Sequence, residues 1–180
     1  SNTGFWRTFE NASSFNQSLN SWNMSNALIT TAMFNGATNF NQDISSWDIS
    51  KIENTKWMFL DANSFNQSLN NWNVSNVSKM DNLFGDALSF NQNISSWDVS
   101  KVTNMFSMFG YAHDFNQNID SWDVSKVTNM RDMFWLAFDF NKPLNNWNVS
   151  NVKYMINMFY TAKTFNQALN DWDVSNVKNM

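Results

Sequence analysis

The chain has 180 residues, a formal net charge of −4, 17% aromatic and only 14% charged residues, and no cysteine. A mild, spread-out negative charge speaks against a nucleic-acid backbone as partner, and the lack of Cys excludes disulfides and thiolate metal sites. No apolar run approaches the length of a membrane span, so no membrane insertion is expected in this segment.

The organising feature is a repeat. Phe-Asn begins at Phe15, Phe40, Phe65, Phe90, Phe115, Phe140 and Phe165, and Trp follows at Trp22, Trp47, Trp72, Trp97, Trp122, Trp147 and Trp172. The step is 25 residues each time, without insertion or deletion. A fixed period of this length is the mark of a solenoid, whose units bury their apolar faces only by stacking on one another. Residues 1–180 therefore read as one solenoid domain of seven 25-residue repeats. Ser1 falls at the repeat position of Asn176 and Met180 at that of Phe5, with no polar capping unit at either end. A segment of a longer array, or a protomer whose ends stack on copies of itself, is expected.

Within a unit, the residues from Phe115 onward serve as the example. Ile119, Trp122 and Val124 have the spacing L-x-x-W-x-V, which resembles the strand of leucine-rich repeats. An extended segment puts Trp122 and Val124 on one face and Ser121, Asp123 and Ser125 on the other. Stacked in register, Trp and Val make two apolar ladders, so the tryptophans read as core. Val127, Met130, Met133, Phe134 and Ala137 then recur at steps of three, three, one and three. That spacing predicts a short helix of about ten residues. Ser125 and its equivalents, present in every unit, stand where an N-cap would begin it. The invariant Ala at Ala12, Ala37, Ala62, Ala87, Ala112, Ala137 and Ala162 marks a tight return. Phe115 plugs the core, and Asn116 with its equivalents forms an Asn ladder that satisfies turn backbone and its neighbour's amide. The fold class expected is an α/β repeat solenoid. Its coils are right-handed and leucine-rich-repeat-like, with one short parallel β-strand and one short helix per unit.

One correlation runs through the units. Asp48, Asp98 and Asp123 are followed three residues on by Lys51, Lys101 and Lys126, whereas Asn23, Asn73 and Asn148 are followed by Asn26, Asn76 and Asn151; Asp173 with Asn176 breaks the rule. Contact between the two positions at the corner is the simplest account. The stacked carboxylates Asp98 and Asp123 also raise a calcium-bridging reading, weakened by Asn standing in for Asp in three of the seven units.

The units FNQDISSWDIS and FNQNIDSWDVSKVTNMFSMF resemble the bacterial surface-protein repeat of about 26 residues found in Mycoplasma and Listeria lipoproteins and BspA-like surface proteins. The motif W-D-V-S-x-V-T-N-M-x-x-M-F carries the resemblance over nearly the entire chain. Departures lie at Trp22-Asn23-Met24, in the stretch ALITTAMF, and at Asn141 to Pro143. The resemblance implies a leucine-rich-repeat-like, secreted or surface-anchored protein engaged in adhesion, hence an extracellular or cell-surface location, and it brings no catalytic residues.

Function on a repeat scaffold belongs to positions that vary between units. On the return side Trp57, Phe106, Trp135, Leu136, Phe138, Tyr154, Ile156 and Tyr160 stand where other units are polar or small, a candidate protein interface. On the polar face Ser96, Asp98, Ser121, Asp123, Asn146 and Asn148 form a candidate ligand face for a glycan or other extended polar ligand. His113 is the lone histidine and reads as a solvated turn residue; with no Cys and no second His, neither a catalytic triad nor a zinc site can be assembled. The chain is expected to be non-enzymatic and without cofactor. Its expected role is structural or adhesive, with end-to-end self-association into filaments. The alternative is a recognition module for a host protein or glycan.

Overall fold

A computed structural model of the chain describes residues 4–180; the repeat-position match drawn from Ser1 lies outside them. The 25-residue units stack in register. Parallel bridges join Gly4 to Ile29, Ile29 to Asn54, Asn54 to Lys79, and so on through Lys79, Asn104, Asn129, Tyr154 and Asn179. Each bridge is an isolated residue pair. Among the described residues there is no helix and no continuous strand, and each unit is a coil of tight turns. The expected strand-plus-helix unit is therefore wrong, and with it the leucine-rich-repeat-like α/β class.

The physical reason lies in the backbone. Two positions in every coil have φ between +49° and +70°, namely Arg7 and Asn11, then Ala32 and Gly36, Trp57 and Asp61, Asn82 and Asp86, Ser107 and Tyr111, Asp132 and Leu136, and Asn157 and Thr161. A left-handed residue every few positions cannot sit inside an α-helix. It reverses the chain, so the segment becomes a run of turns closed by bonds three residues apart. In one coil Met133 N–H donates to Met130 O, Trp135 to Asp132, Ala137 to Phe134 and Phe140 to Ala137, all at 3.1–3.3 Å. The intervening peptides point along the stack. Met130 N–H donates to Tyr154 O, Asp132 to Ile156, Phe134 to Met158 and Leu136 to Tyr160, all at 2.9 Å. Amides that a helix would use internally are thus spent on the next coil.

The predicted strand fails for a similar reason. Trp122 N–H donates to Ile119 O and Val127 N–H to Val124 O, so this stretch also turns. Its alternation survives, since Trp122 and Val124 are buried while Ser121 and Asp123 are exposed. The serine column is no N-cap. Ser125 N–H donates to Asp123 Oδ1 at 3.0 Å, and Ser75 N–H to Asn73 Oδ1 at 3.1 Å. Either Asp or Asn supplies that oxygen, which explains why the column tolerates both. The paired Lys reaches elsewhere: Lys101 Nζ donates to Asn76 Oδ1 of the preceding coil at 2.7 Å, and Lys51 Nζ to Asn26 Oδ1 at 3.0 Å.

The core is a set of stacked columns. Phe84 and Phe90 stack within one coil at 3.8 Å between centroids, and Phe84 meets Phe59 at 5.6 Å and Phe109 at 5.9 Å in its neighbours. Trp97 and Trp122 lie 6.4 Å apart and 1° from parallel. Each Trp is also a polar tie. Trp122 Nε1 donates to Ile94 O at 3.2 Å, and Trp97, Trp147 and Trp172 donate in the same way to Leu69, Ile119 and Leu144. The Asn ladder is present. Asn66 Oδ1 accepts Asn91 N–H at 3.0 Å and Gln92 Nε2 at 2.9 Å, and the pattern repeats from Asn16 to Asn141. Lys142 replaces the Gln once, so Asn116 Oδ1 receives only the Asn141 amide there.

Two stability changes follow. Trp122→Phe removes one of the two hydrogen bonds to the Ile94 carbonyl, which keeps the Trp97 N–H at 3.2 Å, and is expected to cost about 0.5–1.5 kcal/mol in denaturant unfolding, beyond the packing loss. Thr161 is exposed, β-branched and held at φ +57°, so Thr161→Asn is expected to raise stability by up to about 1 kcal/mol. A loss of stability on that change would contradict the left-handed conformation.

Candidate binding surfaces

The variable aromatic residues lie on the side formed by the run of turns. Trp135 and Leu136 are half-buried there, with Leu136 in the left-handed conformation. Tyr111 meets Trp135 edge to face at 4.8 Å. Phe138 is covered on two sides, by His113 stacked at 4.2 Å and by Lys163 Nζ at 3.9 Å from the ring centroid. His113 is thus a packing partner and not the solvated turn residue that the sequence suggested. Trp135, Leu136 and Phe138 form part of a self-packed ridge with Tyr111, His113 and Lys163. Tyr154 and Tyr160 remain outside it, at 40% and 59% exposure. Ile156 is half-buried, and its carbonyl accepts from Asp132. Trp57 and Phe106 belong to earlier coils: Lys56 Nζ lies 5.1 Å from the Trp57 ring centroid, and Phe106 N–H donates to Asn104 Oδ1. The structure gathers the Trp135 group and leaves these two apart. Tyr111 and Lys163 went unread, and His113 was read only as a turn residue, because their contacts run between neighbouring coils and only the stacking reveals them.

The polar face divides into two columns. Asp98, Asp123 and Asn148 are exposed, and each accepts the amide of the Ser two residues on. That bond, from the Ser side chain and backbone together, holds the carboxyls of Asp98 and Asp123 below their ordinary range. Ser96, Ser121 and Asn146 turn toward the preceding coil. Ser96 Oγ donates to Asn70 O at 2.7 Å, Ser121 Oγ to Ser95 O at 3.3 Å, and Asn146 gives Asp120 both its backbone N–H at 3.0 Å and its side-chain N–H at 2.5 Å. Ser121 and Asn146 line a shallow polar cleft of about 470 Å³ with Asn93, Ser95, Gln117, Asn118 and Asp120. Asp120 is the lone acid of its column, among Asn20, Ser45, Asn70, Ser95, Asn145 and Asn170, a signal that the sequence did hold.

Acidic side chains on the opposite side behave differently. Asp81 is buried, 3.4 Å from Lys56 Nζ, and accepts from Asn104 Nδ2. Asp132 takes Arg131 Nε at 3.1 Å and Asn157 Nδ2 at 3.0 Å. Asp61 and Asp86 hold the same position in successive coils, both left-handed, and burial, with the Asp61 charge second, pushes the Asp86 carboxyl up to about 6. Among the described residues no three acidic, His or Cys side chains converge in a way that could hold a metal ion. No helix among them is long and apolar enough to cross a membrane.

Compared with known proteins, the chain matches the family described as Mycoplasma protein of unknown function, DUF285, over residues 3–96 and again over 79–180. The two matches overlap and together take in all seven aromatic repeats, and the chain belongs to this family. No curated protein matches it.

The stacked carboxylates give the scaffold a pH signature. Asp86 has a folded pKa above its unfolded value, so folding favours its neutral form, and stability drops as pH rises from about 4 toward 6. Asp86→Asn keeps a side chain suited to the left-handed backbone and removes the charge. It is expected to stabilise the fold by on the order of 1 kcal/mol at pH 7, after allowance for solvent screening, and to be neutral at pH 3. Equal melting temperatures for the two chains at pH 7 would rule out the desolvated carboxyl.

Proposed function

We propose that the chain, as a member of the Mycoplasma DUF285 family, is a non-enzymatic structural and adhesive repeat protein of the cell surface. The observation that carries this reading is the use of the repeated polar groups. Asn Oδ1, Gln Nε2, Asp or Asn Oδ1 and Trp Nε1 recur unit after unit as bonds within the stack. What is repeated builds length, and what varies decorates the sides. A scaffold of this kind holds lateral side chains at fixed intervals away from its point of attachment. The resemblance of its repeats to those of bacterial surface proteins supports the location.

A second reading is favoured by one specific feature. The cleft around Asp120, Ser121 and Asn146 offers amides, hydroxyls and one carboxylate on a shallow floor. Such a surface suits the hydroxyls of a glycan, and the exposed Tyr160 is suited to a protein partner.

The location is tested on intact cells of the source organism with an antibody against the repeat. Surface labelling, and loss of the signal on brief external protease treatment, is the expected outcome. Signal that appears only after lysis would end the surface reading. Binding to a glycan array that disappears in Asp120→Ala would favour the recognition module over a purely structural role.

A further inference from the structure

Asp81 is buried, at 5% exposure, and its two carboxylate oxygens are used unequally. Oδ1 lies 3.4 Å from Lys56 Nζ of the preceding coil and accepts Asn104 Nδ2 from the following one. Oδ2 is buried too and has no partner. Among the described residues no other carboxylate oxygen is buried in this way. An amine and a carboxamide from alternate coils thus meet on one oxygen of a single acid. The other coils carry Trp6, Thr31, Lys56, Phe106, Arg131 and Ile156 at this position, so a lysine precedes an aspartate in the column only once.

The Asn104 amide is held open to attack at its carbon. Its Oδ1 accepts Phe106 N–H at 3.1 Å, and its Nδ2 rests on Asp81. The first bond polarises Cγ and places a donor on the oxygen where negative charge develops when a nucleophile adds. The second puts the leaving nitrogen beside an acid. Lys56 Nζ lies between that acid and the Trp57 ring, 5.1 Å from the ring centroid. Lys56, Trp57, Asn104 and Phe106 are all half-buried.

We propose that Lys56 and Asn104 join in an isopeptide bond, with Asp81 carrying the proton. Asp81 takes a proton from Lys56 Nζ, and the free amine adds to Asn104 Cγ. Asp81 then passes its proton to Nδ2. The Cγ–Nδ2 bond breaks as the carbonyl re-forms, and ammonia leaves with the last amine proton as ammonium. One C–N bond forms and one breaks, Asp81 ends as the carboxylate it began as, and no oxidant or reductant is needed. The unpartnered Oδ2 can hold the proton while Oδ1 keeps both reacting groups.

Asp132 supplies the contrast. It also accepts a carboxamide, from Asn157 Nδ2 at 3.0 Å, but the cation on it is Arg131, whose guanidinium keeps its proton. That acid–amide pair has no amine to react. The Lys56–Asn104 bond clamps the coil between them and restrains the unfolded chain as a disulfide would, in a protein with no cysteine.

Tandem mass spectrometry of the purified full chain after trypsin digestion tests the bond. The linked chain is lighter than its sequence by one ammonia. Trypsin, blocked at Lys56, leaves residues 52–79 joined to residues 102–126 as one branched peptide. Lys56→Arg keeps a cation on Asp81 and is expected to fold, to show its full sequence mass and to melt at a lower temperature. Asp81→Ala is expected to leave Lys56 and Asn104 unlinked, with the near-ultraviolet aromatic signal as the check on folding. Cleavage at Lys56 in the unaltered chain, with Asn104 intact, would overturn the proposal. So would a chain short of one ammonia whose peptides are all linear, the mark of a cyclised asparagine. A branched peptide that persists in Asp81→Ala would overturn the role given to Asp81. Each of these outcomes is independent of where the chain resides.

Discussion

Everything in this molecule depends on one backbone constraint. Two left-handed residues per coil turn alternate peptides out of the coil's plane and into the neighbour's hydrogen-bonding reach. Because these bonds join residues about one repeat apart, no coil satisfies all of its own amides. Pairing then fixes the register, and register brings Phe onto Phe, Trp onto Trp and Asn onto Asn. Aromatic columns, Asn ladder and Trp ties are consequences of that alignment and also its reinforcement. A slip of one residue would misplace all of them together.

This arrangement explains how the described residues, with no helix or continuous strand among them, enclose a buried apolar core. Backbone groups that cannot be left unpaired in an apolar core are satisfied locally by turns or axially by the adjoining coil. The indole N–H groups do the same work inside, on the carbonyls of the preceding coil, while buried Asp81 and Asp132 are held by side-chain partners. Thr30 is an exception. It takes a column filled by Met in later coils, and its hydroxyl is buried with no partner. The early coils are therefore less uniformly built than the later ones.

Much of this was legible in the residues, and the illegible part has a definite cause. The period, the inward Trp and Val, the Phe plug, the tight Ala turn and the Asn ladder all came from identity at fixed spacing. The helix did not follow, because apolar residues at steps of three and four also arise from consecutive turns that keep returning to one core. Glycine would have announced the left-handed positions, yet only Gly36 does so. Of the other thirteen, Asn11, Asn82, Asn157, Asp61, Asp86 and Asp132 are residue types that tolerate this conformation, whereas Arg, Ala, Trp, Ser, Tyr, Leu and Thr give no sign of it. On the candidate surfaces, single-column anomalies such as Asp120 were readable, whereas the ridge of Tyr111, Trp135, His113, Phe138 and Lys163 needed the stacking distance between coils.

The near-parallel rings carry a spectroscopic consequence. With Phe and Trp piled in columns only a few degrees from parallel, the transitions of neighbouring chromophores couple along the stack. Circular dichroism in the peptide region would then lack the minima of helix and the single trough of sheet, and an observer could take the chain for a random coil. The near-ultraviolet bands, which report fixed aromatic environments, would instead be intense and collapse cooperatively on heating. For a protein of this build, order has to be looked for in the aromatic signal and not in the peptide one.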